Sequence, residues 1–282
     1  MPPNDAPANN LPPAIAASVR AFDYDRGAYG AAGERAIAVE TPIEIAFGGA
    51  PFAVMMATPC DIEDFAVGFA LTEGVVDHPS EIRGVEIKAA GSAVRLDVAL
   101  AGERLAAHLA RSRALSGRTG CGLCGIEDLA HLPKPRAPVP ACAPIVPAAI
   151  RAAFGALDGA QPLNAETRAT HGAVWCDRTG AIRLAREDVG RHNALDKLIG
   201  ALARAAVEPA DGFILITSRC SFEMVAKAAT FGVATLVALS APTSLALERA
   251  RASGVTLIAI ARADRATIFN VLDQDDDGGL AA

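Results

Sequence analysis

The sequence predicts an α/β protein with two parts: a C-terminal domain built on a mostly parallel sheet, and a smaller N-terminal α+β domain. In the C-terminal part, short apolar runs alternate with amphipathic runs of helix length, which is the pattern of βαβ units. The N-terminal part instead has alternating apolar and polar residues around glycine turns, with one amphipathic run. Hydrophobic residues make up 51% of the chain and charged residues 21%, which excludes a disordered chain.

The N-terminal domain is predicted to contain two hairpins and one helix. The first hairpin is expected to turn at Gly48-Gly49 and the second at Gly91-Ser92, because each pair separates two strand-like runs. Between the hairpins, apolar residues recur with helical spacing after Asp61, which is a favoured helix-capping residue. Gly74 is expected to end this helix.

The C-terminal domain is predicted to begin with a hairpin around residues 177–180, followed by an amphipathic helix over 192–206. Buried strands are then expected at 212–218, 233–240 and 255–261. The helices between these strands should end at Gly232 and Gly254. Strands alternating with helices in this way predict right-handed crossovers and parallel pairing.

Composition sets the boundaries between these parts. Many prolines after a glycine-rich stretch leave no room for a packed element between the two domains, so a long connection is expected there. The chain is therefore divided into a disordered tail at 1–20, the N-terminal domain at 21–115, a mobile C-x-x-C loop and linker at 116–147, the C-terminal domain at 148–272 and an acidic tail at 273–282.

Polar residues follow each predicted strand of the C-terminal domain, where the carboxyl ends of parallel strands meet and ligands bind in open sheets. Arginines and helix N-termini at such an edge suit an anionic ligand of the phosphate type. No G-x-G-x-x-G or P-loop sequence is present, so this prediction rests on placement, and ordinary helix caps with solvated loops remain the alternative. The candidate residues are Arg186, Asp188, Arg191, His192, Ser218, Arg219, Ser240, Thr243, Arg262, Asp264 and Arg265.

The C-x-x-C pair of Cys121 and Cys124 is the sharpest chemical signal. Half of a zinc site is disfavoured because no second C-x-x-C or closely spaced histidine pair exists, and a zinc deaminase because H-x-E is absent. A thiol that carries sulfur or electrons fits better, since Arg118 and the surrounding glycine amides would stabilise a thiolate. A disulfide or an incidental pair remains open.

The other four cysteines are expected to play smaller roles. Cys60, Cys142 and Cys176 are interpreted as small buried hydrophobes. Cys220 lies among the strand-end residues, and its role stays open, as does that of His192.

Charge and hydropathy restrict the class of protein. With 26 basic and 32 acidic residues, the net charge of −6 makes nucleic-acid binding improbable. The sequence shows neither a signal peptide nor a membrane-spanning run, so reduced cysteines, no membrane association and a cytoplasmic location are expected.

Five long motifs cover both halves of the chain. They are TPCDIEDFAVGFALTEG (58–74), RTGCGLCGIEDL (118–129), REDVGRHNALDKLIG (186–200), TSRCSFEMVAKAA (217–229) and SAPTSLALERA (240–250). Together they resemble the formate dehydrogenase accessory sulfurtransferases, the FdhD family. The resemblance runs from about residue 20 to residue 272.

The resemblance implies a function: sulfur from a cysteine desulfurase is carried as a persulfide to the molybdenum cofactor, Mo-bis(molybdopterin guanine dinucleotide), for formate dehydrogenase. It implies that Cys121 carries the persulfide and that Cys124 assists. The family's cofactor-binding segment matches Ile260, Ala261, Arg262, Ala263, Asp264 and Arg265, with Ala263 where a glycine is common.

The resemblance also implies a C-terminal domain of cytidine deaminase-like, three-layer fold without the zinc ligands, and a homodimer. The expected partners are a cysteine desulfurase and formate dehydrogenase, and no tightly held metal is expected. Two alternatives remain: a non-catalytic chaperone that binds the molybdenum cofactor, and a thiol-disulfide oxidoreductase. The latter is weaker because the C-x-x-C does not lie between a strand and a helix.

Overall fold

The computed structural model describes residues 11–106 and 138–270. The described helices are α1 (Ile62–Thr72), α2 (Pro147–Ala156), α3 (Pro162–Thr167), α4 (Arg191–Arg204), α5 (Phe222–Phe231) and α6 (Ser244–Ser253). The described strands are β1 (Ala14–Asp23), β2 (Ala28–Ala38), β3 (Thr41–Phe47), β4 (Ala50–Ala57), β5 (Ile82–Ala90), β6 (Ala93–Leu100), β7 (His171–Asp177), β8 (Ile182–Asp188), β9 (Gly212–Ile216), β10 (Thr235–Ala238), β11 (Thr256–Ala259) and β12 (Thr267–Ile268).

The N-terminal part forms a four-stranded sheet in the order β4-β3-β6-β5, with α1 packed on it. Both predicted hairpins are confirmed, with turns at Gly48-Gly49 and Gly91-Ser92. Helix α1 follows Asp61 and the chain turns at Gly74, as expected. The Asp61 carboxylate, however, caps no backbone N–H, because the residue itself has a left-handed backbone (φ 52°).

The predicted disordered tail at 1–20 is wrong for residues 14–20. These residues form most of β1, which pairs antiparallel with β2 from Ala14↔Ala38 to Asp23↔Ala28. The two strands form a separate two-stranded sheet whose side chains are largely exposed. Alanine dominates this segment, so its alternation of apolar and polar residues is too weak to signal a strand.

The C-terminal part forms a six-stranded sheet in the order β12-β11-β10-β9-β7-β8. The predicted parallel pairing holds for β9, β10 and β11. The prediction of a mostly parallel sheet is wrong, because β7 pairs antiparallel with both β8 and β9, and β12 pairs antiparallel with β11. The short turn between β7 and β8 requires the antiparallel pairing of these two strands, since a parallel connection needs a crossover of a dozen or more residues.

Helices cover both faces of this sheet. Helix α2 packs on one face over Val174, Phe213 and Leu215. Helices α4, α5 and α6 cover the other face, as expected for right-handed crossovers that follow one another in the same direction. The resulting three layers agree with a mixed α/β fold, and the core on the α4 side continues through α1 into the N-terminal sheet.

Helices α1 and α4 cross with their backbones in contact. A Cβ atom built on Gly68 would lie 1.8 Å from the Asp196 carbonyl oxygen, and one built on Gly200 would lie 1.8 Å from the Asp64 carbonyl oxygen. Only glycine allows this approach at both positions. This crossing packs the N-terminal part tightly against α4.

Helices within the described ranges are all too short or too polar to span a bilayer.

Candidate functional site

The topology brings one end of five neighbouring strands to the same edge of the large sheet. Strands β8, β9, β10 and β11 end there, and β7 begins there because it runs in the opposite direction. We call this edge the carboxyl edge and define it as residues 171, 188–193, 217–223, 239–243 and 260–265. Because its loops follow strands whose register is fixed, their side chains are held on a rigid support.

Backbone hydrogen bonds join the last three of these loops. The Thr243 N–H donates to the Cys220 carbonyl oxygen (3.1 Å), which ties the loops after β9 and β10. The Ile260 N–H donates to the Ser240 carbonyl oxygen (3.4 Å), which ties the loops after β10 and β11. The loops after β9, β10 and β11 are therefore held together.

A buried ion pair anchors the loop after β8. Lys197 Nζ lies 2.7 Å from Asp188 Oδ2, and both side chains are fully buried. The other Asp188 oxygen accepts hydrogen bonds from the Gly190 N–H (2.7 Å) and from Asn193 Nδ2 (3.1 Å). The Thr58 N–H also donates to Asp188, at 2.9 Å. Asp188 was predicted to bind ligand, but the structure commits its carboxylate to holding this loop and the N-terminal part together.

Arg191 and His192 form the first turn of α4, directly after the anchored loop. His192 Nε2 lies 2.8 Å from Glu223 Oε2 on α5, and this contact lowers the pKa of the Glu223 carboxyl group. The Nε atom of Arg191 and the hydroxyl of Ser221 are buried and hydrogen-bond to no group in the described residues. Two helices thus begin side by side at the carboxyl edge, and neither has a side-chain cap.

The loops after β9 and β10 place further predicted residues at this edge. Arg219 is exposed, whereas the Ser218 hydroxyl is buried and donates to the Arg219 carbonyl oxygen. The Thr243 hydroxyl caps α6 by accepting a hydrogen bond from the Ala246 N–H, so it has a partner within the protein. Ser240 is partly exposed.

The segment 260–265 forms an exposed turn after β11, closed by the Arg262 N–H donating to the Arg265 carbonyl oxygen at 2.7 Å. Ala261 is buried, and the residues from Arg262 to Arg265 are exposed. Ile260 has a left-handed backbone (φ 54°), which is unusual for a β-branched residue. Ala263 has no such conformation, so this turn forms without a glycine there.

Arg186 is not part of the carboxyl edge. This residue lies on β8, two residues before Asp188. Its guanidinium group donates two hydrogen bonds to Asp64 on α1, at 2.9 and 2.7 Å. Arg204 also donates to Asp64, so this carboxylate joins β8, α1 and α4. Arg186 therefore has a structural role in this fold, and its binding of ligand stays a prediction.

Charge at the carboxyl edge is positive. Its four arginines are Arg191, Arg219, Arg262 and Arg265. They outnumber the two remaining carboxylates, Glu223 and Asp264, because Asp188 is neutralised by Lys197. Such an edge attracts anions.

Cys121 and Cys124 lie outside the described residues. Of the remaining cysteines, all four are free thiols; Cys176 and Cys220 are buried, while Cys60 and Cys142 are partly exposed, which corrects the prediction of full burial for those two. Burial raises the pKa of Cys176 and of Cys220 to about 12, and burial also raises the pKa of Cys60. These three thiols are poor nucleophiles at neutral pH.

Sequence reasoning missed two residues of this site. It searched only the carboxyl ends of strands, so it missed His171, which reaches the edge because β7 is antiparallel. It also missed Lys197, which looked like one more polar residue of an amphipathic helix. An arrangement of three or more histidine, cysteine or acidic residues that could hold a metal ion does not occur in the described part of the chain.

The fold and the carboxyl edge define a mixed α/β protein whose large sheet has a cationic carboxyl edge. A family model, described as the FdhD/NarQ family, matches residues 38–274. A relative from Bordetella petrii named sulfur carrier protein FdhD is 44% identical, covering 83% of this chain and 84% of the relative. Another of that name, from Xanthomonas campestris pv. campestris (strain B100), is 45% identical, covering 89% and 90%.

A solved structure, described as a formate dehydrogenase accessory protein from Desulfotalea psychrophila, is similar throughout. Its TM-score is 0.71 at 25% sequence identity, and the match covers 93% of this chain and 98% of that one. The chain therefore belongs to the FdhD/NarQ family.

Proposed function

We propose that this protein is a sulfurtransferase that carries sulfur as a persulfide on Cys121 and delivers it to the molybdenum cofactor needed by formate dehydrogenase. The observation that carries the proposal is the family match together with the presence of the C-x-x-C pair in this chain. Relatives that are 44–45% identical are named sulfur carrier protein. The cofactor is here the substrate that accepts sulfur.

Thiol reactivity supports Cys121 as the carrier. The pKa values of Cys60, Cys176 and Cys220 are raised by burial, so their thiolates are scarce. In the sequence, Cys121 instead comes three residues after Arg118 and between Gly120 and Gly122, and a nearby cation with accessible backbone amides is the setting that favours a thiolate. Cys124 would then assist the transfer.

Such a carrier transfers sulfur in two steps, loading and delivery. The Cys121 thiolate attacks the outer sulfur of the persulfide on a cysteine desulfurase, a new S–S bond forms, and the desulfurase thiolate leaves. An acceptor that supplies an electron pair then takes the outer sulfur, the S–S bond breaks, and the Cys121 thiolate is regenerated. A low thiol pKa makes Cys121 a good leaving group in this second step.

The carboxyl edge supports an anionic acceptor. Mo-bis(molybdopterin guanine dinucleotide) carries two pyrophosphates, and the edge offers Arg191, Arg219, Arg262 and Arg265 beside two helix N-termini. We also propose that the protein acts in the cytoplasm as a homodimer.

The test is the Cys121→Ala variant in a strain that lacks the wild-type gene, with formate dehydrogenase activity as the readout. Cys142→Ala is the matched control, because Cys142 is a partly exposed thiol outside the C-x-x-C pair, and its one described hydrogen bond goes to the Pro140 carbonyl oxygen. We expect activity to be lost in the first variant and kept in the second. Full activity with Cys121→Ala would overturn the proposal.

A labelling experiment separates the sulfurtransferase from a non-catalytic chaperone of the molybdenum cofactor. Radiolabelled cysteine and a cysteine desulfurase are incubated with the protein. Label that is retained on the protein and released by a thiol reductant supports transfer. Binding of the cofactor without any label on the protein would favour the chaperone.

A further inference from the structure

Thr58, which directly follows β4 in the N-terminal part, uses each of its polar groups on the loop after β8 and on α4. Its backbone N–H donates to Asp188 Oδ2 at 2.9 Å, and its hydroxyl accepts from the Val189 N–H at 3.1 Å. Its carbonyl oxygen accepts from Lys197 Nζ at 2.8 Å. Thr58 is fully buried, so water does not compete for these bonds.

The same loop is held again where α4 begins. The side-chain amide of Asn193 donates to Asp188 Oδ1 at 3.1 Å and to the Met56 carbonyl oxygen in β4 at 2.8 Å. Asp188 Oδ1 also accepts from the Gly190 N–H at 2.7 Å. The end of β4 therefore holds the loop on both sides, at Val189 and at Asn193.

The local sequence stiffens both halves of this contact. Pro59 follows Thr58, and the residue before a proline is restricted to an extended backbone. Asn193 and Lys197 lie four residues apart on α4, so they share the face of the helix that is turned towards the end of β4.

Arg191 and His192 lie between the two anchored points and are partly exposed. The anchoring bonds use atoms of their neighbours rather than their own. Both side chains therefore reach the carboxyl edge from a backbone whose position is set by Thr58, Asp188 and Asn193. Groups that are held in place before a ligand arrives bind it more tightly, because ordering them on binding costs affinity.

We propose that Thr58 is a positioning residue for the carboxyl edge: it holds the loop that carries Arg191 and His192 in its binding position before the ligand arrives. The N-terminal part thereby controls the affinity of a site that the large sheet presents. Thr58 acts through the loop and not by touching the ligand, because it is fully buried. This inference rests on the proposed function, in which the carboxyl edge binds the guanine nucleotide arms of the acceptor.

Titration calorimetry with guanosine diphosphate, which presents one nucleotide arm of the proposed acceptor, tests this role. Thr58→Val keeps the size and the backbone bonds of the residue but removes the hydroxyl that accepts from the Val189 N–H. Thr58→Ser keeps a hydroxyl at this position. Thr235→Val is the matched control, because Thr235 is also buried but lies at the start of β10, at the opposite edge of the large sheet.

A hydrogen bond of ordinary net strength changes the fraction of molecules with a correctly placed loop, and hence the dissociation constant, by about 2- to 10-fold. We expect Thr58→Val to bind the nucleotide more weakly by this factor, and Thr58→Ser and Thr235→Val to bind like wild type. A variant that is merely less stable would show fewer binding sites at an unchanged dissociation constant. Equal dissociation constants for Thr58→Val and wild type would overturn the positioning role while leaving the nucleotide site intact. No binding to wild type would overturn the site and the positioning role together.

Amide hydrogen exchange in wild type gives a second test that does not depend on the folding of a variant. The amides of Val189 and Gly190 should be protected without nucleotide, because Thr58 and Asp188 already hold them. They should keep this protection when guanosine diphosphate is added. Amides that exchange freely until the nucleotide binds would contradict the proposal, since the ligand and not Thr58 would then order the loop.

Discussion

Replacing Lys197 by methionine should destabilise the protein strongly while preserving the shape of the side chain. The variant removes the ammonium group from a fully buried pair with Asp188 at 2.7 Å and leaves the Thr58 carbonyl oxygen without its donor. Breaking a buried ion pair from one side costs about 3–5 kcal/mol. Three N–H donors still reach Asp188, so we expect the lower end of this range, ~3 kcal/mol.

Urea unfolding followed by tryptophan fluorescence measures this loss. The chain has one tryptophan, Trp175, which is buried in β7 and reports on the large sheet. Lys88→Met is the matched control, because Lys88 pairs with Glu86 on the surface and its removal should change little.

A double-mutant cycle with Asp188→Asn isolates the interaction between the two charges. Removing both charges should cost less than the sum of the single changes, with a coupling of about 2 kcal/mol. The reasoning fails if Lys197→Met loses less than about 1 kcal/mol, the size expected for an exposed pair. It also fails if the two changes are additive.

Three further predictions concern the fold and the carboxyl edge. Gly200→Ala should destabilise the protein by about 1–3 kcal/mol, because the new Cβ would lie 1.8 Å from the Asp64 carbonyl oxygen and α1 and α4 would have to separate. A variant as stable as wild type would contradict the close crossing of these helices. Gly232→Ala should lower the free energy of unfolding by about 1–2 kcal/mol, because the backbone at this position is left-handed (φ 96°). Gly155→Ala in α2 has open space around it and should not destabilise the protein. Thermal unfolding distinguishes the two variants. His171 has a lowered pKa in the folded protein, so the unfolded chain binds a proton at this residue more tightly. Wild type should therefore lose stability as the pH falls from about 7 to about 5. Urea unfolding of His171→Gln over the same pH range should show a smaller loss.

Local patterns in the sequence were enough to predict the elements of the fold. Leu195, Leu198, Ile199 and Leu202 were predicted to share the apolar face of a helix, and all four are fully buried in α4. Glycine signals placed the ends of α5 and α6 correctly, since both C-caps are left-handed glycines. Such features depend on neighbours along the chain.

Strand order and partners depend on residues far apart in the chain, and these were predicted less well. The antiparallel pairing of β7 with β9 follows from how the β7–β8 hairpin docks on β9, which no local pattern encodes. The same holds for Arg186, whose partner Asp64 lies 122 residues away, and for Lys197, whose role depends on Asp188 and on Thr58 139 residues away. The candidate residues that follow strands therefore form two groups. Some lie exposed at the carboxyl edge, and others, such as Arg186 and Asp188, hold parts of the fold together.

Mass spectrometry of the protein after treatment with cysteine and a cysteine desulfurase tests the central claim most directly. We expect the peptide that contains Cys121 and Cys124 to gain the mass of one sulfur atom, to lose it on reduction, and to gain nothing in the Cys121→Ser variant. A wild-type peptide without added sulfur, or sulfur found on Cys60, Cys142 or Cys220 instead, would contradict the account.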